Sequence, residues 1–297
     1  MRFFNPLTVC LVISVCPSTW AADCKEHYWQ GQAPIINNAA LKQKTRDLCF
    51  SGFVVMHSGV TRTPIWVGEY LTASRLKKAR DLDRQDSFHE EERLPENERA
   101  TLADYRGSGY DRGHMAPNGD MANRQQQSDS FSLANMVPQS PTNNRKVWRN
   151  LEEATRALVM QEGEAYVLTG AAFLSPKLKK VGQVYVPTDV YKVVYFPKRQ
   201  AASAYFAPND ESGKVSVISV AQLEQKIGVN LLPKVAVSVK NKKIDLPIST
   251  QQVDPNELGQ PVANSQPQSS APPASSPASH STDWLSLILQ VLQSPLK

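Results

Sequence analysis

The sequence predicts an α+β fold, because strand-like segments dominate both ends of the globular region and one amphipathic helix lies between them. The strand-like segments are rich in β-branched and aromatic residues, which suit a pleated, half-buried surface. They occupy 53–56, 64–71, 165–170, 190–196 and 204–206. The helix is predicted from Arg145 to about Met160, where apolar residues recur at helical spacing and charged residues cover the opposite face. Asn144 can serve as its N-cap.

The composition limits the class of protein. Of 297 residues, 41% are hydrophobic and 21% are charged, so the chain can bury a core and is not generally disordered. No run of about 18 apolar residues occurs, so no transmembrane span is expected. The net charge of +5 fits an anionic partner, although many proteins without such a partner carry a similar charge.

Residues 1–22 have the features of a secretory signal peptide. Arg2 precedes an apolar run over 7–16, and the small residues that follow predict cleavage after Ala21 or Ala22. A short membrane anchor is the alternative, but the apolar run is too short for one. We therefore expect export to the periplasm or to the extracellular medium.

Export would leave two cysteines in the mature chain, Cys24 and Cys49, because Cys10 and Cys16 lie in the signal peptide. An isolated pair in an oxidising compartment predicts a disulfide bond. The pair lacks CxxC spacing, so a zinc site or a thiol nucleophile is not expected.

Residues 23–250 have the composition of one globular domain, and two different segments follow. Residues 251–282 are rich in Pro, Ser and Gln and are interpreted as an extended linker. Residues 283–297 form an apolar C-terminal tail. This tail either docks on its own domain or contacts a protein partner, a second copy of the chain or a membrane surface.

Three motifs carry the functional information. They are Asp-Arg-Gly-His at 111–114 with Ala-Pro at 116–117, Asn-Met-Val-Pro-Gln at 135–139, and Asn-x3-Trp-x3-Glu at 144–152. A histidine between glycine turns and a proline is positioned by the backbone. Arg112 adds a planar, permanently charged group that suits a phosphate.

In these motifs, their order and their spacing, the chain resembles the DNA/RNA non-specific endonucleases. This family belongs to the ββα-metal, or His-Me finger, nucleases and includes secreted bacterial sugar-non-specific nucleases and endonuclease G. The motifs cover about 105–152, and a fainter strand pattern extends over most of 45–240. The resemblance implies a central, mainly antiparallel sheet flanked by helices, with a ββα finger at the surface.

The resemblance also implies roles for the motif residues. His114 matches the general base that activates water, Asn144 the ligand of one Mg²⁺ ion that Mn²⁺ can replace, and Glu152 the carboxylate that holds a metal-bound water. Asn143 is the alternative to Asn144, which is chosen on its spacing from Trp148.

Four further residues complete the predicted site. Asn135 matches a second active-site asparagine, Arg112 a phosphate-binding arginine and Asp111 a residue that supports the metal ligands. The family also has an upstream arginine that stabilises the transition state. Arg84 is the better match to it, with Arg80 as the alternative.

Helix geometry gives an independent expectation. On an ideal helical wheel that starts at Asn144, Glu152 falls near +80°, at the edge of the buried stripe. One helix can therefore present both side chains to a metal while Trp148 and Leu151 pack into the core.

The predicted function is metal-dependent hydrolysis of phosphodiester bonds in DNA and RNA, leaving 5′-phosphate ends. Backbone contacts dominate such binding, so we expect little sequence specificity and an affinity that falls steeply with salt. A catalytically silent nucleic-acid-binding or scaffold protein on the same fold is the main alternative. A zinc phosphoesterase is a third possibility, but it needs several His, Asp or Cys ligands and the motifs contain one histidine.

Overall fold

The computed structural model describes residues 24–252. The signal peptide predicted over 1–22, most of the linker predicted over 251–282 and the apolar tail predicted over 283–297 lie outside the described residues. Among residues 24–252, none of the helices combines the length and the apolar character needed to cross a membrane.

Thirteen strands and six α-helices are found in the described part of the chain. The strands are β1 Ile35–Ile36, β2 Thr45–Cys49, β3 Val54–Ser58, β4 Thr63–Thr72, β5 Asp111–His114, β6 Met136–Gln139, β7 Glu164–Ala172, β8 Lys180–Val181, β9 Val184–Tyr185, β10 Asp189–Phe196, β11 Ala201–Pro208, β12 Ser216–Ile218 and β13 Val229–Asn230. The α-helices are α1 Ala73–Arg80, α2 Leu102–Tyr105, α3 Arg124–Ser130, α4 Arg149–Glu162, α5 Val220–Ile227 and α6 Val237–Asn241. A π-helical turn, Asn143–Trp148, precedes α4. Short 3₁₀ turns lie at Cys24–His27, Trp29–Gly31, Ala39–Lys42, Glu96–Glu98, Asn118–Asp120, Leu133–Asn135, Pro197–Arg199 and Thr250–Gln252.

A seven-stranded sheet forms the centre of the fold. Its strand order is β12-β11-β10-β7-β4-β3-β2, and every neighbouring pair is antiparallel. All five strand-like segments predicted from the sequence lie in this sheet. The predicted α+β fold with a central antiparallel sheet is therefore confirmed.

Helices cover both faces of the sheet, because alternate residues of the long strands point to opposite sides. On one face, Trp148 and Leu151 pack against strand residues such as Val67 and Val167. On the other face, α5 packs against a second cluster that includes Trp66. The result is three layers, with the sheet in the middle.

The ββα finger lies on the same face as α4. Strand β5 pairs with β6, so that His114 is opposite Met136, and the π-helical turn and α4 follow directly. Gly113 is required here, because a Cβ at this position would overlap the side chain of Gln139 on the paired strand. The first two motifs therefore fit together sterically.

The start of the long helix differs from the prediction. Helical structure already begins at residue 141, and the Asn144 backbone N–H donates to the Ser140 carbonyl at 2.8 Å. Asn144 is therefore inside the helix, and its predicted role as N-cap is wrong. A single sequence carries no signal for a π-helical turn, which is found most often at functional sites.

The predicted disulfide between Cys24 and Cys49 is present, with the two Cα atoms 5.7 Å apart. Cys49 ends β2, the edge strand of the sheet, so the bond ties the first described residue to the fold. A disulfide that closes a loop of this length stabilises the folded protein by about 3 kcal/mol.

The first prediction concerns the stability of the protein in acid. It rests on His57, which is fully buried on β3 and bonds the Glu98 carbonyl through Nε2 at 2.9 Å. Burial lowers the pKa of His57 from 6.5 to about 4, against the opposing effect of Glu98. Below pH 6.5 the unfolded chain therefore binds a proton that the folded chain does not, and stability falls until about pH 4. His57→Gln keeps a donor for Glu98 but does not titrate. We expect wild type to lose about 2 kcal/mol more than this variant between pH 7.5 and 5.

Urea unfolding of both proteins at the two pH values measures this difference. His27, whose pKa is also lowered to about 4 by burial, is unchanged in both proteins and serves as the internal control. Equal losses in wild type and variant would contradict the assignment to His57.

Candidate active site

An open cleft of about 780 Å³ lies where the finger meets α4. Five arginines and four carboxylates line it, together with His114 and Asn144. The charged residues are Arg84, Arg112, Arg145, Arg149, Arg156, Asp86, Asp111, Glu152 and Glu153. His114, from the first sequence motif, and Glu152, from the third, thus line the same cleft.

His114 ends β5, and its ring is packed between two phenyl rings. The ring centroids of Phe131 and Phe88 are 5.2 Å and 5.9 Å from that of His114. Burial, together with the positive charge of Arg84, lowers the pKa of His114 to about 3. The imidazole is therefore neutral at physiological pH, and among residues 24–252 its buried Nε2 has no hydrogen-bond partner. A neutral imidazole can accept a proton from water.

A hydrogen bond to Asp111, on strand β5, fixes the side chain of Asn144. The Asn144 Nδ2 donates to Asp111 Oδ2 at 2.9 Å, which leaves the amide oxygen as the atom that can bind a cation. Arg145 donates to both oxygens of the same carboxylate, at 2.8 Å and 2.6 Å. Partial burial raises the pKa of Asp111, but the bonds from Arg145 and Asn144 outweigh this effect, and the pKa is lowered overall.

The neighbouring Asn143 points away from the cleft and into the protein. It is buried, its Nδ2 donates to the Pro208 carbonyl at 2.8 Å, and its Oδ1 accepts from Gln139 Nε2 at 2.5 Å. Of the two candidates left open by the sequence, Asn144 is the one that lines the cleft.

Glu152 lies two turns further along the same helix and also lines the cleft. Burial raises the pKa of its carboxyl to about 7, although Lys192 and Arg156 oppose this effect. Arg156 donates to the buried Asp120 at 3.0 Å. Arg156 belongs to none of the three motifs, and its i+4 spacing from Glu152 on a helix is the only sign of it in the sequence.

The two predicted arginines reach the cleft from different segments. Arg112 lies over the Phe88 ring at 4.0 Å, and Arg84 bonds Asp86 at 2.6 Å. The alternative, Arg80, is exposed outside the cleft and pairs with Asp81 at 3.7 Å. The structure therefore brings Arg84, and not Arg80, together with the other site residues.

Asn135 does not line the cleft, so the structure does not support a direct contact between this residue and the substrate. It is fully buried and clasps Ala116, accepting from the backbone N–H at 2.8 Å and donating to the carbonyl at 2.9 Å. Its Nδ2 also donates to the Ser130 carbonyl at 2.9 Å. Asn135 thus positions the chain that follows His114, because all of its polar atoms are bonded to the backbone.

The donors in the cleft suit a hard cation that retains much of its water. Within residues 24–252 no group of three or more His, Cys, Asp or Glu side chains could hold a metal ion. The amide oxygen of Asn144 and the carboxylate of Glu152 are oxygen donors, and Mg²⁺ is bound in this way by few protein ligands. The residues present therefore fit a divalent cation of this type.

Comparison with known proteins agrees with this geometry. Residues 31–238 match the family model described as DNA/RNA non-specific endonuclease. Nuclease C1 of Cunninghamella echinulata var. echinulata is 36% identical over 207 residues, which cover 63% of this chain and 82% of that protein. Human mitochondrial endonuclease G is 39% identical over 140 residues, 46% of each chain. A chain in the crystal structure of the EndoG/EndoGI complex superposes with a TM-score of 0.61 at 26% identity, over 73% of this chain and 92% of that one.

The second prediction uses the adjacent pair of asparagines. Asn143→Ala leaves a buried carbonyl and the Gln139 amide without their partner, so we expect a loss of about 2–3 kcal/mol in the free energy of unfolding. Asn144→Ala removes one bond at the edge of the cleft, while Asp111 keeps Arg145, so we expect a loss of less than about 1 kcal/mol.

Urea unfolding of the two variants measures this difference. A larger loss for Asn144→Ala than for Asn143→Ala would contradict the placement of the two side chains.

Proposed function

The chain belongs to the DNA/RNA non-specific endonuclease family and is a nuclease, and from this premise we propose that it cuts both DNA and RNA with His114 as general base and one Mg²⁺ on Asn144. The observation that supports the proposal most is that the neutral His114, Asn144 and Glu152 line one cleft. A module that only binds nucleic acid needs none of these three groups.

In the proposed reaction His114 takes a proton from a water molecule, and the water oxygen attacks the phosphorus of the scissile phosphodiester. The bond from phosphorus to the 3′ oxygen breaks, and this oxygen takes a proton from a second water molecule to become a 3′ hydroxyl, while the other fragment keeps a 5′-phosphate. The neutral ring of His114 is the form that accepts the proton, and the negative charge of a bound phosphate raises its pKa toward the operating pH, where a general base works best.

The arginines of the cleft bind the phosphates on either side of the reaction centre. Arg112 and Arg84 approach His114 from two segments, and Arg156 lies on the α4 side. Planar guanidinium groups bind phosphate oxygens in pairs. These contacts involve the backbone of a nucleic acid and not its bases, so DNA and RNA are both substrates and sequence matters little.

The amide oxygen of Asn144 would hold the divalent cation, and the carboxylate of Glu152 would hold it through a water molecule. When bound, it neutralises charge on the scissile phosphate and on the leaving oxygen. The donor set favours Mg²⁺, and Mn²⁺ replaces it because it accepts the same oxygen ligands.

The proposal includes export from the cell. Its support is the signal-peptide pattern over 1–22 and the disulfide between Cys24 and Cys49, which persists only in an oxidising compartment. The apolar tail over 283–297 lies beyond the described residues, and a contact with a partner or a second copy stays a prediction from its sequence.

The third prediction tests the reaction on plasmid DNA and on a long RNA. With Mg²⁺ we expect cleavage of both, no cleavage in EDTA, and a loss of about 10²–10⁴-fold in rate for His114→Ala. Asn144→Ala should lose activity while it stays folded. His89→Ala is the matched control, because His89 is an exposed histidine outside the cleft lining and should cut like wild type.

End-group analysis of the products, and assays in 50 and 200 mM salt, test the 5′-phosphate and the backbone contacts. Folded wild-type protein that binds DNA but does not cut it would favour the silent binding module. Activity restored by Zn²⁺ and not by Mg²⁺ would favour the zinc phosphoesterase.

The fourth prediction concerns export. Expression of the full chain in a Gram-negative host should yield a mature protein that begins at Ala22 or Asp23, in the periplasm or the medium. N-terminal sequencing of the purified protein measures this. A protein that keeps residue Met1 and remains in the cytoplasm would contradict the signal peptide.

A further inference from the structure

Two phenyl rings pack against His114, and one of them, Phe88, lines the cleft and also contacts Arg112. Phe88 comes from the loop between α1 and α2, and Phe131 follows α3. The two rings meet edge to face, with centroids 4.8 Å apart, and each also contacts the His114 ring. Phe131 is fully buried and Phe88 is partly exposed, so Phe131 backs Phe88 from inside the protein.

A guanidinium group lies over the ring of Phe88. The Cζ of Arg112 lies 4.0 Å from the centroid of the Phe88 ring. A cation over an aromatic face at this distance is attracted by the ring quadrupole. Phe88 therefore contacts both the phosphate-binding arginine and the general base of the proposed reaction.

Among residues 24–252, no carboxylate is in ion-pair contact with Arg112, although the charge of Asp111 interacts with it. The adjacent Asp111 accepts hydrogen bonds from Arg145 and Asn144. A carboxylate partner would occupy the N–H donors and neutralise the charge. A phenyl face fixes the plane of the guanidinium and leaves its donors and its charge for a phosphate.

We propose that Phe88 is a positioning residue, whose ring holds the Arg112 guanidinium in place for a substrate phosphate next to His114. The inference rests on the proposed function, because it assumes that a phosphodiester binds in the cleft. It predicts that the electron density of the ring, and not only its size, determines how strongly nucleic acid binds.

The chain offers a matched control outside the cleft. Phe50 carries Arg93 over its ring at 4.3 Å and stacks on Phe53 at 4.6 Å, and none of these residues lines the cleft. The same ring chemistry can therefore be changed at Phe88 and at Phe50. Only the first change should affect the substrate.

The experiment replaces Phe88, in the full chain, by phenylalanines with one, two and three ring fluorines, which weaken the quadrupole with little change in size. We measure kcat and KM on DNA with Mg²⁺, and the Kd for a short DNA duplex in EDTA. From Phe to trifluorophenylalanine we expect KM and Kd to rise stepwise by about tenfold in total, with kcat changed less than about twofold. The same series at Phe50 should leave all three quantities within about twofold of wild type.

The outcomes separate the inference from the function on which it rests. Wild-type protein that binds the duplex but does not cut DNA contradicts the proposed function, whereas the Kd series still tests Phe88. If wild type cuts DNA but KM and Kd do not change along the Phe88 series, the positioning role is overturned. If Phe88→Leu weakens binding while all fluorinated variants bind like wild type, the ring acts through packing alone and the inference is also overturned.

Discussion

Buried side-chain amides hold the ββα finger against the sheet, and the geometry of the cleft depends on them. Asn209, at the end of β11, donates to the carbonyls of Pro138 and Pro187 and accepts from the Ser140 N–H, at 2.8–3.0 Å. Asn143 likewise accepts from the Gln139 side chain and donates to the Pro208 carbonyl on β11. These backbone groups are bonded by side chains, and each would cost about 1–3 kcal/mol if it were buried without a partner. The side-chain amides therefore satisfy the backbone groups of the finger, as the hydrogen bonds between paired strands satisfy those of the sheet.

A second constraint is the charge buried beneath α4. Lys192 is buried on β10 and bonds Thr169 at 2.7 Å, and the buried Glu69 pairs with Arg75 at 3.3 Å. Burial raises the pKa of Glu69, as it does for Glu152 on the helix above. Ionisable groups of both signs thus lie together beneath α4, where the positive charges of Arg75 and Lys192 oppose the rise in the pKa of Glu69. The arrangement connects the core of the sheet to the carboxylate that faces the cleft.

Much of the fold could be predicted because its signals are local. Long strands rich in β-branched residues appear as such in the sequence, and the apolar stripe around Trp148 and Leu151 marks the helix. The start of that helix was predicted wrongly, since a π-helical turn is stabilised by contacts such as Asn143 with Pro208, far away in the chain. The approach of Phe88 to His114 has no sequence signal either, because 26 positions of irregular chain and short helix separate the two residues.

The sequence by itself determined the fold class, the disulfide pair and the family, because residue type and spacing along one strand or helix carry that information. Only the tertiary structure decided which polar side chains face the cleft. Asn143 and Asn144 are chemically identical neighbours, yet one is bonded inside the protein and the other lines the cleft. Asn135 belongs to a motif but clasps the backbone, whereas Arg156 belongs to none and lines the cleft. The physical reason is that a side chain's role depends on which buried groups need its hydrogen bonds, and those groups come from distant segments.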